Sequence, residues 1–505
     1  MKALLVIALT LGLIPAPVEY RPAEGTSSVQ KIVVRKHSLR FKWAVKGLED
    51  FSRKEAYRIT LKPRKAVIEA ASAEGVFRAR KTIEQLQALG PVPRGVIFDY
   101  PRFRHRGLMI DESRSFKGVE FLKKQMDAMA LLKLNVLHLH LDDAAGWRIE
   151  SPSYPLLTEK TAWRIGDYYY KWEQAHYKFV DKDDPEAYGG YYTPDELRDL
   201  VAYAAERYIN IIPEIEMPGH SMEVTLTYPE TACMMEDGTR FKGAWDFCPG
   251  SEATFELLET VLAEVMDIFP SQYIHIGGDE ASMATWHKCV NCRRRMEEEG
   301  FTDVRQLQGY LIRRIEAFVR SHGREVIGWD EILETGVPQS AVIQSWRGIS
   351  GGIAANAAGH KVVMSPNSHV YFDYYQDLIR KEPAACGDLT SLRHVYSYEP
   401  VAPGMDESLV LGVQGNLWCE WVPTCEHAEY MLWPRGFAIA EIGWSPMGTK
   451  DPEGFRARAM AMQDLWRAMG YNTFDLRTET NLARSGYRTF EAYEAAGLKD
   501  PAGTE

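Results

Sequence analysis

Downstream of Tyr100-Pro-Arg-Phe103, apolar β-branched runs alternate with amphipathic stretches. The runs occupy 107–111, 135–141, 209–216, 273–277, 325–329, 341–346, 361–365 and 410–418, and most are nearly continuously hydrophobic. Parallel strands buried on both faces read this way, whereas half-exposed strands alternate. Stretches 121–132, 196–207, 255–268 and 306–322 carry apolar residues at helical spacing between them. Eight strand–helix units in about 350 residues predict a (β/α)8 barrel of the TIM type, an α/β fold whose active site lies at the C-terminal ends of its strands. A doubly wound open sheet would need a glycine-rich phosphate turn after its first strand, and the sequence has none there.

Upstream the pattern is shorter. Alternating strands at 31–34, 56–61 and 66–70 and a helix over 73–89, ending before Gly90-Pro91, predict a small α+β domain over 17–100. The barrel then spans 101–450, and 451–505 reads as a helical extension packed on it. Met1-Lys2-Ala3 followed by the apolar run 4–14 has the basic start and short apolar core of a signal peptide, taken as 1–16. The protein is therefore expected to be exported, to the periplasm, the cell surface or the medium. No clean cleavage motif precedes Pro15-Ala-Pro17, so the alternative is that the run belongs partly to the folded body. No other segment is predicted to span a membrane.

Composition narrows the function. Hydrophobic residues at 45% and charged residues at 26% are ordinary globular values, and the net charge of −11 argues against nucleic acid as a partner. The basic clusters Arg78-Ala-Arg80-Lys81 and Arg293-Arg294-Arg295 read as solvated helix faces. Seven cysteines are too few for a disulfide framework, and their odd number leaves at least one free. Cys289-x-x-Cys292 has half the spacing of a zinc site; without a second pair at matching spacing it is expected to be a packed or disulfide pair, and no metal or cofactor is assigned.

The barrel rule assembles the chemistry. The strand ends carry Asp111 and Arg114; His138, His140 and Asp143; Glu214, Glu216 and His220; Asp279 and Glu280; Trp329 and Asp330; Trp346; Tyr371 and Asp373; and Trp418 and Glu420. In His275-Ile-Gly-Gly-Asp279-Glu280 a strand runs through two glycines into adjacent carboxylates, whose environments can separate their roles into a proton donor and an ionised partner. Tryptophans stack on sugar faces and carboxylates bind hydroxyls, so the strand ends predict a carbohydrate pocket.

These residues resemble glycoside hydrolase family 20, the β-N-acetylhexosaminidases. The resemblance rests on Arg106-Gly-Leu-Met-Ile-Asp111-Glu-Ser-Arg114, Leu137-His-Leu-His140, Gly146-Trp-Arg148, Pro213-Glu-Ile-Glu-Met-Pro-Gly-His220, the Asp279-Glu280 motif, Gly328-Trp-Asp-Glu331, Gln344-Ser-Trp346 and Trp433-Pro-Arg435. It implies an exo-acting enzyme that removes terminal β-linked N-acetylglucosamine or N-acetylgalactosamine from a glycan. The substrate's own acetamido oxygen would act as nucleophile, giving an oxazolinium intermediate and net retention. By the same resemblance Glu280 would protonate the leaving oxygen and later activate water, and Asp279 would hold the acetamido N–H. Tyr371 would donate to the acetamido oxygen. Trp329, Trp346 and Trp418 would wall the sugar, Arg114, Asp373 and Glu420 would bind ring hydroxyls, and Asp143 with His220 would orient Glu280.

One departure stands out. The family usually has Asp-Asp-Gln-Gly-Trp after the second strand; here the chain reads Asp143-Ala144-Ala145-Gly146-Trp147, so the second acid is absent and the loop geometry is in question. The tyrosine-rich insertion from Tyr168 to Tyr192 could shape the leaving-group side of the pocket or simply pack as a loop. Two other functions compete. A metal-dependent amidohydrolase could use His138-x-His140 but would need further ligands from later strands. An inactive sugar-binding protein would have no use for both Asp279 and Glu280.

Overall fold

In the computed structural model the described residues are 12–36, 39–378 and 382–497. All eight expected barrel strands form: β6 (His105–Asp111), β7 (Val136–His140), β8 (Asn210–Glu214), β9 (Tyr273–His275), β10 (Glu325–Trp329), β11 (Val342–Ser345), β12 (Val362–Met364) and β13 (Val410–Leu417). They close into a parallel barrel in chain order, β13 pairing with β6 over Gly412 to Leu417. Every residue of β6 and β13 is buried, as the unbroken apolar runs require. Helices Val119–Leu131, Pro194–Ala205, Glu252–Ile268 and Arg305–Ser321 lie where the periodicity puts them. The second begins with a reciprocal cap between Thr193 and Glu196, a start signal worth about 1 kcal/mol.

The N-terminal domain is a five-stranded sheet in the order β1-β5-β3-β4-β2, made of β1 (Glu19–Ser27), β2 (Lys31–Lys36), β3 (Tyr57–Lys62), β4 (Lys65–Ala70) and β5 (Val92–Asp99). The helix Ala73–Leu89 covers it. Strands β1 and β5 were not expected: β1 is an exposed polar edge strand, and β5 is interrupted by Pro93 and Gly95.

The junction with the barrel corrects one expectation. Arg78 is fully buried, not solvated, while Arg80 and Lys81 keep contact with solvent. Glu55 accepts from Arg78 Nε at 2.8 Å and from Arg106 of β6 at 2.6 and 3.0 Å, so one carboxylate joins the small domain to the first barrel strand. Arg293 and Arg294 are exposed, as expected. The helix Pro452–Ala468 also packs here, with Arg458 donating to the Leu13 carbonyl at 2.8 Å and pairing with Glu441. Leu13 and Ile14 are buried, and Ile14 exchanges two hydrogen bonds with Gln85 at 3.1 and 2.7 Å. The last residues of the predicted signal peptide are thus built into the body; its residues 1–11 lie outside the described residues. Among the described residues no helix is long and apolar enough to cross a membrane.

The cysteine pair also reads differently in three dimensions. Cys233 and Cys248, from a hairpin-like segment after β8, join Cys289 and Cys292, and none of the four is disulfide-bonded. The second pair is hidden in sequence because its members are not two residues apart.

Candidate active site

The expected residues converge at the C-terminal mouth of the barrel. Past β9 the chain turns through Gly277 and Gly278 at φ +61° and +98°. A Cβ on Gly277 would sit 1.8 Å from Glu216 Oε2, and one on Gly278 2.2 Å from Ile332 Cγ2, so only glycine permits the approach. The turn buries Asp279 to 7% exposure and leaves the Glu280 side chain 60% exposed, with Glu280 itself at φ +47° and its N–H on Glu331 at 3.2 Å.

Behind the pair stands a ladder of alternating charge. Glu214, at the end of β8, accepts from His140 Nδ1 at 2.5 Å and lies 2.6 Å from His275 Nδ1 and 3.2 Å from His138 Nε2. His140 Nε2 faces Asp143 at 3.2 Å, Asp143 accepts from His220 Nδ1 at 3.0 Å, and His220 Nε2 lies 3.6 Å from Asp279 and 3.5 Å from Glu280. Burial alone would raise Glu214, but His275, His140 and His138 outweigh it and hold it ionised. Burial would likewise lower His140, yet Glu214 and Asp143 push it up to about 10. Asp143 is drawn below the ordinary carboxylate range by Arg114, His220 and His140 in spite of its burial. Against the same burial, Asp143 and Asp279 keep His220 well above its usual value.

The reactive pair then separates, in an order opposite to the roles expected for them. Glu280 is lowered, chiefly by its contact with His220, whereas burial raises Asp279. Sequence reasoning placed the donor's proton on Glu280; in the open site that carboxyl is exposed beside a cation and gives up its proton readily.

The opposite wall is aromatic and charged. Trp346 and Tyr371 stack at 6.3 Å and 15°, Tyr371 meets Trp418 at 6.3 Å, and Trp418 meets Trp329 at 5.7 Å. Trp346 and Trp418 are half-buried; Trp329 is fully buried beside His275 and forms the floor of this wall. Arg114 pairs with Asp143 at 2.6 Å, Asp111 at 3.1 Å and Glu420 at 3.6 Å and lies over Trp418 at 5.0 Å. Burial raises Asp373, and the like charge of Glu420 adds to it; burial also raises Glu420, with Arg114 pulling against it and Asp111 pushing it further. Several buried polar atoms here lack a protein partner: Arg114 Nε, Asp279 Oδ1, Trp329 Nε1, Trp346 Nε1 and Asp373 Oδ1. Groups left this way cost about 1–3 kcal/mol each unless a ligand or water satisfies them.

The loop in question closes tightly. Asp142–Asp143 pairs with Gly146–Trp147 in a short hairpin, and the Ala144 N–H caps Asp143 Oδ1 at 2.6 Å. Ala145 packs with Trp172 of the insertion. Loss of the second acid therefore leaves Asp143 in place. The insertion borders the site: the Tyr169 N–H donates to the Glu420 carbonyl at 3.2 Å, and Tyr170 stacks on Trp421 at 5.7 Å with 42% of its surface exposed.

His138, Glu214 and His275 have ligand atoms close enough to chelate a metal. They are buried to 1% exposure or less, with Trp329 packed against both imidazoles. A catalytic metal keeps an open position toward its substrate, which side chains buried this completely do not offer.

The catalytic-domain model of glycosyl hydrolase family 20 matches residues 103–447. The chain belongs to this family. This family 20 chain is 39% identical over 428 residues to a β-hexosaminidase of Porphyromonas gingivalis, an alignment covering 80% of the chain and 53% of the relative. It thus spans about half of that relative's length. A β-hexosaminidase of Vibrio furnissii is 36% identical over 79% of the chain and 66% of its own length. Among solved structures, the family 20 exo-β-N-acetylglucosaminidase of Vibrio harveyi in complex with N-acetylglucosamine superposes with a TM-score of 0.78 at 28% identity, covering 92% of this chain and 78% of that one.

Proposed function

We propose that this family 20 chain is a β-N-acetylhexosaminidase that removes terminal β-linked N-acetylhexosamine from glycans by exo cleavage, with the substrate's acetamido group as nucleophile and net retention. The observation that carries the reading is the set of orphaned buried polar atoms beside one half-exposed carboxyl. Asp279 Oδ1 is a buried acceptor with no donor, suited to an acetamido N–H. Tyr371, kept protonated by burial well above its ordinary range, is a donor for the acetamido oxygen. Between Trp346, Tyr371 and Trp418 the acetamido group is pressed toward the anomeric carbon, converting attack into an intramolecular step.

Proton transfer falls to Glu280, the one carboxyl of the pair open to a leaving group. A bound sugar covers Glu280 and removes its water, which raises its proton affinity, while the acetamido N–H and the growing positive charge favour ionised Asp279. Binding thus reverses the order found in the open site. Once the aglycone departs, Glu280 deprotonates water for attack on the intermediate. Tyr168, Tyr170 and Trp421 border Glu420 and offer stacking faces to the leaving portion of the glycan.

The test is to follow hydrolysis of aryl β-glycosides of N-acetylglucosamine, N-acetylgalactosamine and glucose by proton NMR. Both N-acetyl substrates should be cleaved with the β anomer appearing first, and the glucoside should not. Initial release of the α anomer, or equal cleavage of the glucoside, would refute participation by the acetamido group.

A further inference from the structure

The four buried cysteines lie away from the acid pair and take no part in the chemistry above. Cys233 follows the turn Pro229–Thr231, and the bridges Ala232 to Phe247 and Met234 to Arg240 fold 232–248 back so that Cys248 returns beside it. The Cys248 N–H donates to Thr231 at 2.8 Å. Cys289 stands at the N-cap position of the helix Val290–Glu299 and Cys292 lies in its first turn, where the helix dipole favours thiolate. All four side chains are fully buried, and their sulfurs lie within 4.8 Å of one another. Three separations are 3.8, 3.6 and 3.4 Å, for Cys233–Cys292, Cys248–Cys289 and Cys248–Cys292.

Those distances select among the things four cysteines can do. A disulfide requires about 2.05 Å between sulfurs, far below any of them. A tetrahedral tetrathiolate with metal–sulfur bonds of about 2.3 Å places its sulfurs about 3.8 Å apart. We propose that Cys233, Cys248, Cys289 and Cys292 bind one zinc ion in a closed, structural tetrathiolate site that ties the loop after β8 to the segment after β9. This inference does not rest on the glycosidase reading.

The position of the site gives the ion its task. The loop after β8 carries His220, and the segment after β9 carries Asp279 and Glu280. Around the cysteines the two are also joined directly: Trp286 Nε1 donates to the Phe247 carbonyl at 3.1 Å, Asp246 accepts from Ser282 Oγ at 2.7 Å and from the Met283 N–H at 2.8 Å, the Val290 N–H donates to the Met234 carbonyl at 3.3 Å, and Arg293 donates to Glu236 at 2.8 Å. Phe247 in turn donates to Pro218, two residues before His220, at 2.8 Å. Gly250 touches the backbone at Asn291 so closely that a Cβ would come within 2.2 Å. A zinc ion beneath these contacts fixes the separation of His220 and Glu280 without touching substrate. The ion exchanges no electrons and serves only as a cross-link, with each thiol losing its proton on binding.

The test uses the full chain, produced in zinc-containing medium and purified without a polyhistidine tag or chelator. Elemental analysis should find one zinc per chain, and X-ray absorption at the zinc edge should show four sulfurs at about 2.3 Å. An organomercurial thiol reagent should release the zinc to an indicator dye. Cys248→Ser and Cys292→Ser should each retain less than about a tenth of the metal. Glu280→Gln should keep all of it, which separates this inference from the glycosidase assignment. Should the cysteine variants fail to fold, the wild-type measurements decide. Wild-type protein with less than about a tenth of a zinc per chain, an intact mass reduced by disulfide formation, or iron in place of zinc would each overturn the proposal.

Discussion

Asp279→Asn separates catalysis from folding more sharply than any other substitution in the site. Asparagine keeps the shape of the side chain and can still accept an acetamido N–H, but it removes the negative charge that, in the proposed mechanism, faces the developing oxazolinium. Two unit charges about 4 Å apart at an effective dielectric constant of about 20 interact by about 4 kcal/mol. The positive charge in the transition state is only partly developed and is spread over the ring, which leaves about 3 kcal/mol. At 1.36 kcal/mol per tenfold, kcat/KM on an aryl N-acetylglucosaminide should fall by about 10²-fold. Stability should move the other way. Burial raises the Asp279 carboxyl in the folded protein, so the stability tied to its protonated form is present at acid pH and is lost as pH rises through the folded value. Asparagine never ionises and escapes that loss. The melting temperature of the variant should equal or exceed that of wild type at neutral pH, and the difference should close on acidification. Initial rates and thermal melts on the same preparations check both halves. Unchanged turnover, or a rate loss accompanied by a melting temperature several degrees lower at neutral pH, would refute the electrostatic role.

Glu280→Gln should depress hydrolysis of an N-acetylated disaccharide by at least about 10³-fold and that of a dinitrophenyl glycoside much less, because a good leaving group needs little protonation; equal losses on both would refute the acid role. Since His220 lowers Glu280 in the open site and a bound sugar covers it, the alkaline limb of kcat should lie at higher pH than that of kcat/KM, and coincident limbs would count against the reversal. Glu55→Ala leaves Arg106 without a carboxylate and Arg78 with Glu74 alone, both guanidinium groups being fully buried, and should cost about 3–5 kcal/mol in denaturant unfolding; a loss below 1 kcal/mol would show that water reaches the junction. Gly277→Ala forces an L residue to φ +61° against Glu216 and should cost at least about 2 kcal/mol along with most of the activity.

The barrel was legible because parallel strands buried on both faces leave an unbroken apolar record, and β10 matches its predicted span residue for residue. Strand β1 left no such record, since six of its nine residues face solvent and its pairing partner β5 comes from beyond the helix. At the site, strand-end logic reached Asp143, His220, Asp279 and Glu280, and the structure brings them together. The ladder behind them was only partly readable. His140 and Glu214 were visible as strand-end residues, but their service to Asp143 depends on β7 and β8 being neighbours in register, with Glu214 opposite His140. The direction of the Asp279–Glu280 split was not legible at all, because it depends on which side chain the diglycine turn buries and on which one meets His220.

That dependence also shows why the fold spends so many buried charges on so small a task. A lone His220 beside two carboxylates could hand its proton to either. Anchored through Asp143 to a His140 that Glu214 keeps cationic, it remains a fixed positive charge at the mouth of the barrel. Its position then governs Glu280, and position is what the two loops must supply, for β9 ends at His275, well before the pair it presents. The diglycine turn sets the direction of that presentation, and the cysteine cluster sets how far apart the loops can drift. Loss of either should disorder the same contact, the one between His220 and Glu280, while the ladder buried beneath stays intact.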